Sequence, residues 1–182
     1  MILWDSYLRW RHSKGFGVHS PYAYKFVTSV LKPGKYGYYA YDEINRFLPE
    51  QSRGNLSITM PAEFLIRLCI FLDTGRVVTS HLKDRAILSG PLALGISCRE
   101  IGAGENFKFK KGDLLIVEGD AEEKLLKDAI NEGIPVLALR PKQKLKMILT
   151  RPLDKGVLFE GNKNMLLIPR DEMEYVAYQI YL

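Results

Sequence analysis

The stretch KGDLLIVEGDAEEKLLKDAINEGIPVLALR, residues 111–140, decides the fold. Asp113-Leu114-Leu115-Ile116-Val117 is a short apolar run with branched residues, opened by Lys111-Gly112 and closed by Gly119, and it predicts a strand. Residues 121–132 place Leu125, Leu126, Ala129 and Ile130 on one face of an amphipathic helix that Gly133 stops. Pro135-Val136-Leu137-Ala138-Leu139 is the next strand. Strand, helix and strand with tight connections make a βαβ unit, so the two strands run parallel.

Toward the C-terminus a short basic helix, 142–149, precedes three further apolar runs at Gly156–Phe159, Met165–Ile168 and Glu174–Ile180. Glycine and asparagine at 161–164 fold the first back on the second as an antiparallel hairpin. Parallel strands closed by such a hairpin imply an α/β mixed sheet with helices on its faces. Toward the N-terminus, Phe64, Leu65, Leu68, Cys69, Phe71 and Leu72 surround most of a helix that Gly75 is placed to end. Arg76–Thr79 reads as a strand and Ala86-Ile87-Leu88 as another, while the polar residues 49–60 read as a connection. The first 50 residues read as helices: one through Leu3, Tyr7 and Trp10, one opened by Ser20-Pro21 and ended by Pro33-Gly34, and one carrying Tyr41, Ile44, Phe47 and Leu48. The chain therefore divides into a helical cap, 1–50, and an α/β part, 51–182, within one compact unit.

The 182 residues carry a net charge of +5, of which +4 falls in residues 1–48 together with twelve of the twenty aromatic side chains. That bias admits nucleic acid as a partner. The plainer reading is that large rings anchor short helices on a core while the cations face water. No apolar run approaches the length of a membrane span, and Met1–Asp5 do not open a secretory signal. Two cysteines without CxxC spacing exclude a disulfide framework and point to a reducing cytoplasm.

Few residues offer chemistry. Glu100-Ile101-Gly102-Ala103-Gly104 has the acid-x-Gly-x-Gly spacing of a cofactor turn but lacks a following helix, so an ordinary glycine turn is the plainer reading. Glu118 and Asp120, at the carboxyl end of the strongest strand, are candidate metal ligands, with Asp120 as a helix cap the simpler role. His12 and His81 lack metal-ligand spacing, and His19 reads as a packing residue at a helix entrance. Cys69 sits in an apolar helix, Cys98 has no activating partner, and no nucleophile motif occurs, so no catalytic residue is assigned.

Arg11-His12 and Gly17-Val18-His19-Ser20-Pro21-Tyr22 resemble the H-G-V-H-S-P-F opening of a bacterial group of class I S-adenosylmethionine-dependent methyltransferase-like proteins. Leu65-Ile66-Arg67-Leu68, Ile116-Val117-Glu118-Gly119-Asp120 and Lys155–Phe159 are similar to later segments of that group. The resemblance implies a Rossmann-like sheet and an adenosyl site at an acid-and-glycine turn after the first strand. Here Val77-Val78 leads into Thr79-Ser80-His81, with neither acid nor glycine. A second alignment, over Ile87–Ser97, keeps Gly95 but puts Ser89 for the acid and Pro91 for a glycine. Residues 81–112 also fall short of the ~40 that three crossovers and two strands need. The segment 115–136 resembles a Toprim module as well, although Leu139-Arg140-Pro141 lacks its D-x-D.

These readings converge on a methyltransferase-like fold with a degenerate cofactor motif, acting as a non-catalytic interaction module. Its partner is another protein or a second copy, met through the cap or the C-terminal edge strand. The alternatives are an active methyltransferase on a small acceptor, with S-adenosylmethionine held near Gly95, Glu100, Gly102 and Gly104, and a nucleic-acid-binding or Toprim-like domain.

Overall fold

A computed structural model describes residues 20–32, 39–150, 155–171 and 174–180. Among them seven strands form one sheet: β1 (Arg76–Ser80), β2 (Ser97–Glu100), β3 (Asp113–Glu118), β4 (Val136–Leu139), β5 (Val157–Glu160), β6 (Asn164–Ile168) and β7 (Val176–Gln179). Their spatial order is β2-β1-β3-β4-β6-β5-β7. Pairing is parallel from β2 through β4, antiparallel at β4–β6 and β6–β5, and parallel again at β5–β7. This is the α/β, Rossmann-like mixed sheet that the sequence implies, and β7 is an edge strand.

All six residues of β3 are buried. Leu114 and Ile116 face one hydrophobic cluster, and Leu115 and Val117 face the other. The first cluster is covered by α1 (Pro21–Phe26), prolonged by a π turn at Val27–Leu31, and by α3 (Leu56–Leu72). The second is covered by α5 (Glu123–Asn131) and α6 (Gln143–Leu149), through Leu125, Leu126, Ala129, Leu145, Ile148 and Leu149.

Ser20 caps α1 by accepting from the Ala23 N–H at 3.3 Å, and Pro21 opens the helix. Phe26 stacks on Phe159 at 4.1 Å between ring centroids, so this part of the cap is anchored on the sheet by its rings. Tyr24 and Tyr39 remain exposed. The third predicted cap helix is a short one, α2 (Tyr39–Glu43), continued by a 3-10 turn at Ile44–Phe47. The Leu3–Trp10 helix, His12, His19 and the Pro33-Gly34 stop lie outside the described residues.

Four expectations change. Residues 49–60 are not merely a connection, because α3 begins at Leu56, capped by Asn55, and runs through Pro61. The proline gives up one intrahelical bond, which the burial of the rest of the helix outweighs. The end of α3 is set by Asp73 in a left-handed conformation (φ 54°), with the Thr74 N–H donating to the Cys69 carbonyl at 2.9 Å; Gly75 lies beyond. Ala86-Ile87-Leu88 is a 3-10 turn rather than a strand, followed by the five-residue α4 (Ser89–Ala93). Asp120 does not cap α5, which starts at Glu123.

The interval 81–112 therefore holds one strand and one short helix, and the β2–β3 crossover, 101–112, has no helix at all. Side chains cover the sheet there instead. Ile101 and Phe109 are buried, Phe107 meets Phe109 edge-to-face at 5.0 Å, and the guanidinium groups of Arg76 and Arg99 each stand 5.0 Å from the Phe107 ring. Asp113 holds Arg76 at 2.9 and 2.6 Å, and Glu105 holds Arg99 at 2.6 Å.

At the crossing of α4 over α3, Gly90 lies so close that a Cβ would stand 2.2 Å from the Ala62 carbonyl oxygen. Gly90→Ala should lower the unfolding free energy by about 1–3 kcal/mol, read as a lower urea midpoint at unchanged slope.

Candidate functional site

The chain leaves β1 for β2 on one side and returns to β3 on the other, so the carboxyl ends of β1 and β3 part at a topological switch point, where open α/β sheets hold ligands. Three strands turn there through left-handed backbone: His81 (φ 59°) after β1, Gly119 (φ 71°) after β3 and Arg140 (φ 47°) after β4. Glycine adopts that conformation freely, whereas histidine and arginine are strained in it. Arg140 is also followed by Pro141, and proline favours an extended residue before it.

A cavity of about 790 Å³ opens at these ends, in the size range of small-molecule sites. Its floor carries Glu118, whose side chain is 3% exposed. Arg140 Nη2 donates to Glu118 Oε1 at 2.5 Å, and the Lys83 N–H donates to Oε2 at 2.8 Å. The Arg140 side chain is 63% exposed, so one partner is buried and the other reaches water. On the wall, the buried Arg67 donates to the Val30 carbonyl and to the Tyr41 hydroxyl, both at 2.8 Å, tying α3 to the cap. Leu82 and Leu139 supply apolar wall, and Lys163 of the β5–β6 turn and Asn164 at the start of β6 complete the lining.

The two candidate metal ligands are held apart by separate cations: Glu118 by Arg140, and Asp120 by Lys142 at 3.3 Å. Among the described residues no group of three or more His, Cys, Asp and Glu side chains gathers to hold a metal. Arg140 stands where the Toprim pattern would need an acid and neutralises Glu118 instead.

The cofactor candidates are not brought together. Gly95 (φ 74°) precedes β2 and so lies at the amino end of the sheet, opposite the carboxyl end where Glu100 closes that strand. Glu100 is paired with Arg85. The Gly102 N–H donates to Glu105 Oε2 at 3.1 Å, and the Gly104 N–H to Glu122 Oε1 at 2.6 Å. The amides that would greet a cofactor are thus engaged by the chain's own carboxylates. The Gly102 N–H and then the Arg99 guanidinium hold the Glu105 carboxyl below its usual range. A Cβ at Gly95 or Gly104 would meet nothing within 4 Å, so these glycines serve turns and not a close approach. The crevice beside Gly104 measures about 90 Å³, far below a cofactor site. The residues here do not fit an adenosyl group. The second alignment also fails in shape, since Ile87–Ala93 is helical where a strand and a turn are required.

Sequence reasoning missed Arg67, Lys163 and the positive role of Arg140. A lone arginine inside Leu65-Ile66-Arg67-Leu68 was the available signal, because a cation in a buried stripe needs partners. Searches with family models, against curated proteins and against solved structures found no match to this chain.

Removing one member of the Glu118–Arg140 pair should cost unequally. Arg140→Met strands a buried carboxylate and should lower stability by about 2–4 kcal/mol, whereas Glu118→Met frees an arginine that can turn to water and should cost about 1–2 kcal/mol. Urea unfolding of both variants checks the order. Burial pushes the Cys69 thiol up to about 12 and the Cys98 thiol up to about 11. Both should resist iodoacetamide at pH 8 in the native protein and react fully in denaturant, as mass spectrometry would show.

Proposed function

We propose that this chain is a methyltransferase-like α/β protein that does not transfer methyl groups and acts as a binding module. One observation carries the reading: the acid-x-Gly-x-Gly turn is closed by Glu105 and Glu122, while the open volume lies on the far side of β1, over β3 and β4. The segment after β1 adds to it. His81, Leu82 and the 3-10 turn at Arg85–Leu88 stand where a glycine turn and a long helix would cradle an adenosyl group.

Recognition then falls to the cleft at the switch point and to the neighbouring cap, whose exposed Tyr24, Tyr39 and Phe47 offer aromatic contacts to a protein partner. No helix among the described residues is long and apolar enough to cross a membrane. The free thiols of Cys69 and Cys98 fit a reducing, cytoplasmic setting. Isothermal titration of the full chain with S-adenosylmethionine and S-adenosylhomocysteine should give no binding heat up to millimolar ligand. Micromolar binding of either would return the protein to the enzymes.

A further inference from the structure

We propose that the cleft at the carboxyl ends of β1, β3 and β4 binds a small organic anion with an apolar body, its acidic head seated between Arg140 and Lys163. This rests on the reading of that cleft as the recognition surface. The Arg140 N–H donates to the Lys163 carbonyl at 2.7 Å, so the two basic side chains spring from adjoining points of the rim. Arg140 spends Nη2 on Glu118, and among the described residues its other guanidinium N–H groups have no partner. Lys163 is exposed and makes no ion pair among the described residues. Two cations with spare donors thus face one cavity.

Of the acids lining the same cavity, the buried Glu118 has both oxygens occupied, and the exposed Asp84 accepts from the Ala86 N–H at 3.0 Å through Oδ1. Among the described residues, Arg140 and Lys163 on the rim outnumber the single carboxylate left without a cation, so a carboxylate or phosphate finds a guanidinium fork and an amine. Arg140 holds its fork there from a strained backbone, fixed by its N–H bond to Lys163 and by the buried Glu118. Leu31, Phe64, Leu82 and Ile87 also line the cavity, and the volume admits a chain or ring of modest size. Rim cations and apolar lining in one cavity match an amphipathic ligand.

Three probes of equal chain length test this by isothermal titration on the full chain: octanoate, octyl phosphate and 1-octanol. At least one anion should bind once per chain below millimolar, and octanol at least tenfold more weakly. Lys163→Met, which removes an exposed amine, and Arg140→Lys, which keeps a cation beside Glu118 but loses the fork, should each weaken the anion five- to tenfold at unchanged melting temperature. Lys127→Met, on α5 across the sheet, should leave it unchanged. Absence of heat with both anions, octanol binding as tightly as they do, or unaltered affinity in both rim variants overturns the proposal. Micromolar S-adenosylmethionine binding with anion binding intact defeats only the non-methyltransferase reading. Failure of the anions with the nucleoside also inert defeats only this one.

Discussion

The burial of β3 on both faces is the constraint on which the rest depends. A strand without a polar side must have a neighbour along each edge and a layer over each face, and β1, β4 and the two hydrophobic clusters meet those needs. Its last residue, Glu118, is therefore carried into a buried position with its charge. A carboxylate there requires compensation, which comes from the next strand over: Arg140 turns back at the end of β4, and Lys83 lends its amide from beyond β1. The electrostatics of the cleft follow from the packing of the sheet.

A second consequence lies on the β2 side. Twelve residues join β2 to β3, about the least that a parallel crossover with a helix takes, and they form no helix. Two phenylalanines and two arginines do the covering, with the Phe107 ring between guanidinium groups that Asp113 and Glu105 hold in place. The same economy turns the glycines at 102 and 104 inward to Glu105 and Glu122. That turn is closed by the chain's own carboxylates, and the cavity of about 790 Å³ lies where Leu31 of the π turn and α3 face the ends of β1, β3 and β4.

Legibility in the sequence tracked locality. The βαβ unit, the hairpin and the Ser20-Pro21 helix start were readable because each rests on period, turn chemistry or capping within a few residues. Ala86-Ile87-Leu88 misled because a three-residue apolar run has no period, and its packing against α3 decides its conformation. The start of α3 was hidden by the polar character of 49–60 and by Pro61, and its end by an aspartate taking the left-handed position more often given to glycine. At the site, Glu118 was visible as an acid at a strand end. Arg140 was visible only as an acid missing.

The residue pattern alone determined the alternation of strands and helices, the parallel pairing of β3 with β4 and the antiparallel return of β6 along β5, since these follow from local periodicity and chain length. Only the tertiary structure decided that β1 and β3 diverge at a cleft, that Glu118 is matched by Arg140, and that Gly95 lies at the opposite end of the sheet from Gly102. Those facts depend on which distant segments meet, and side-chain contacts across 22 residues, as between Glu118 and Arg140, leave no period in the sequence.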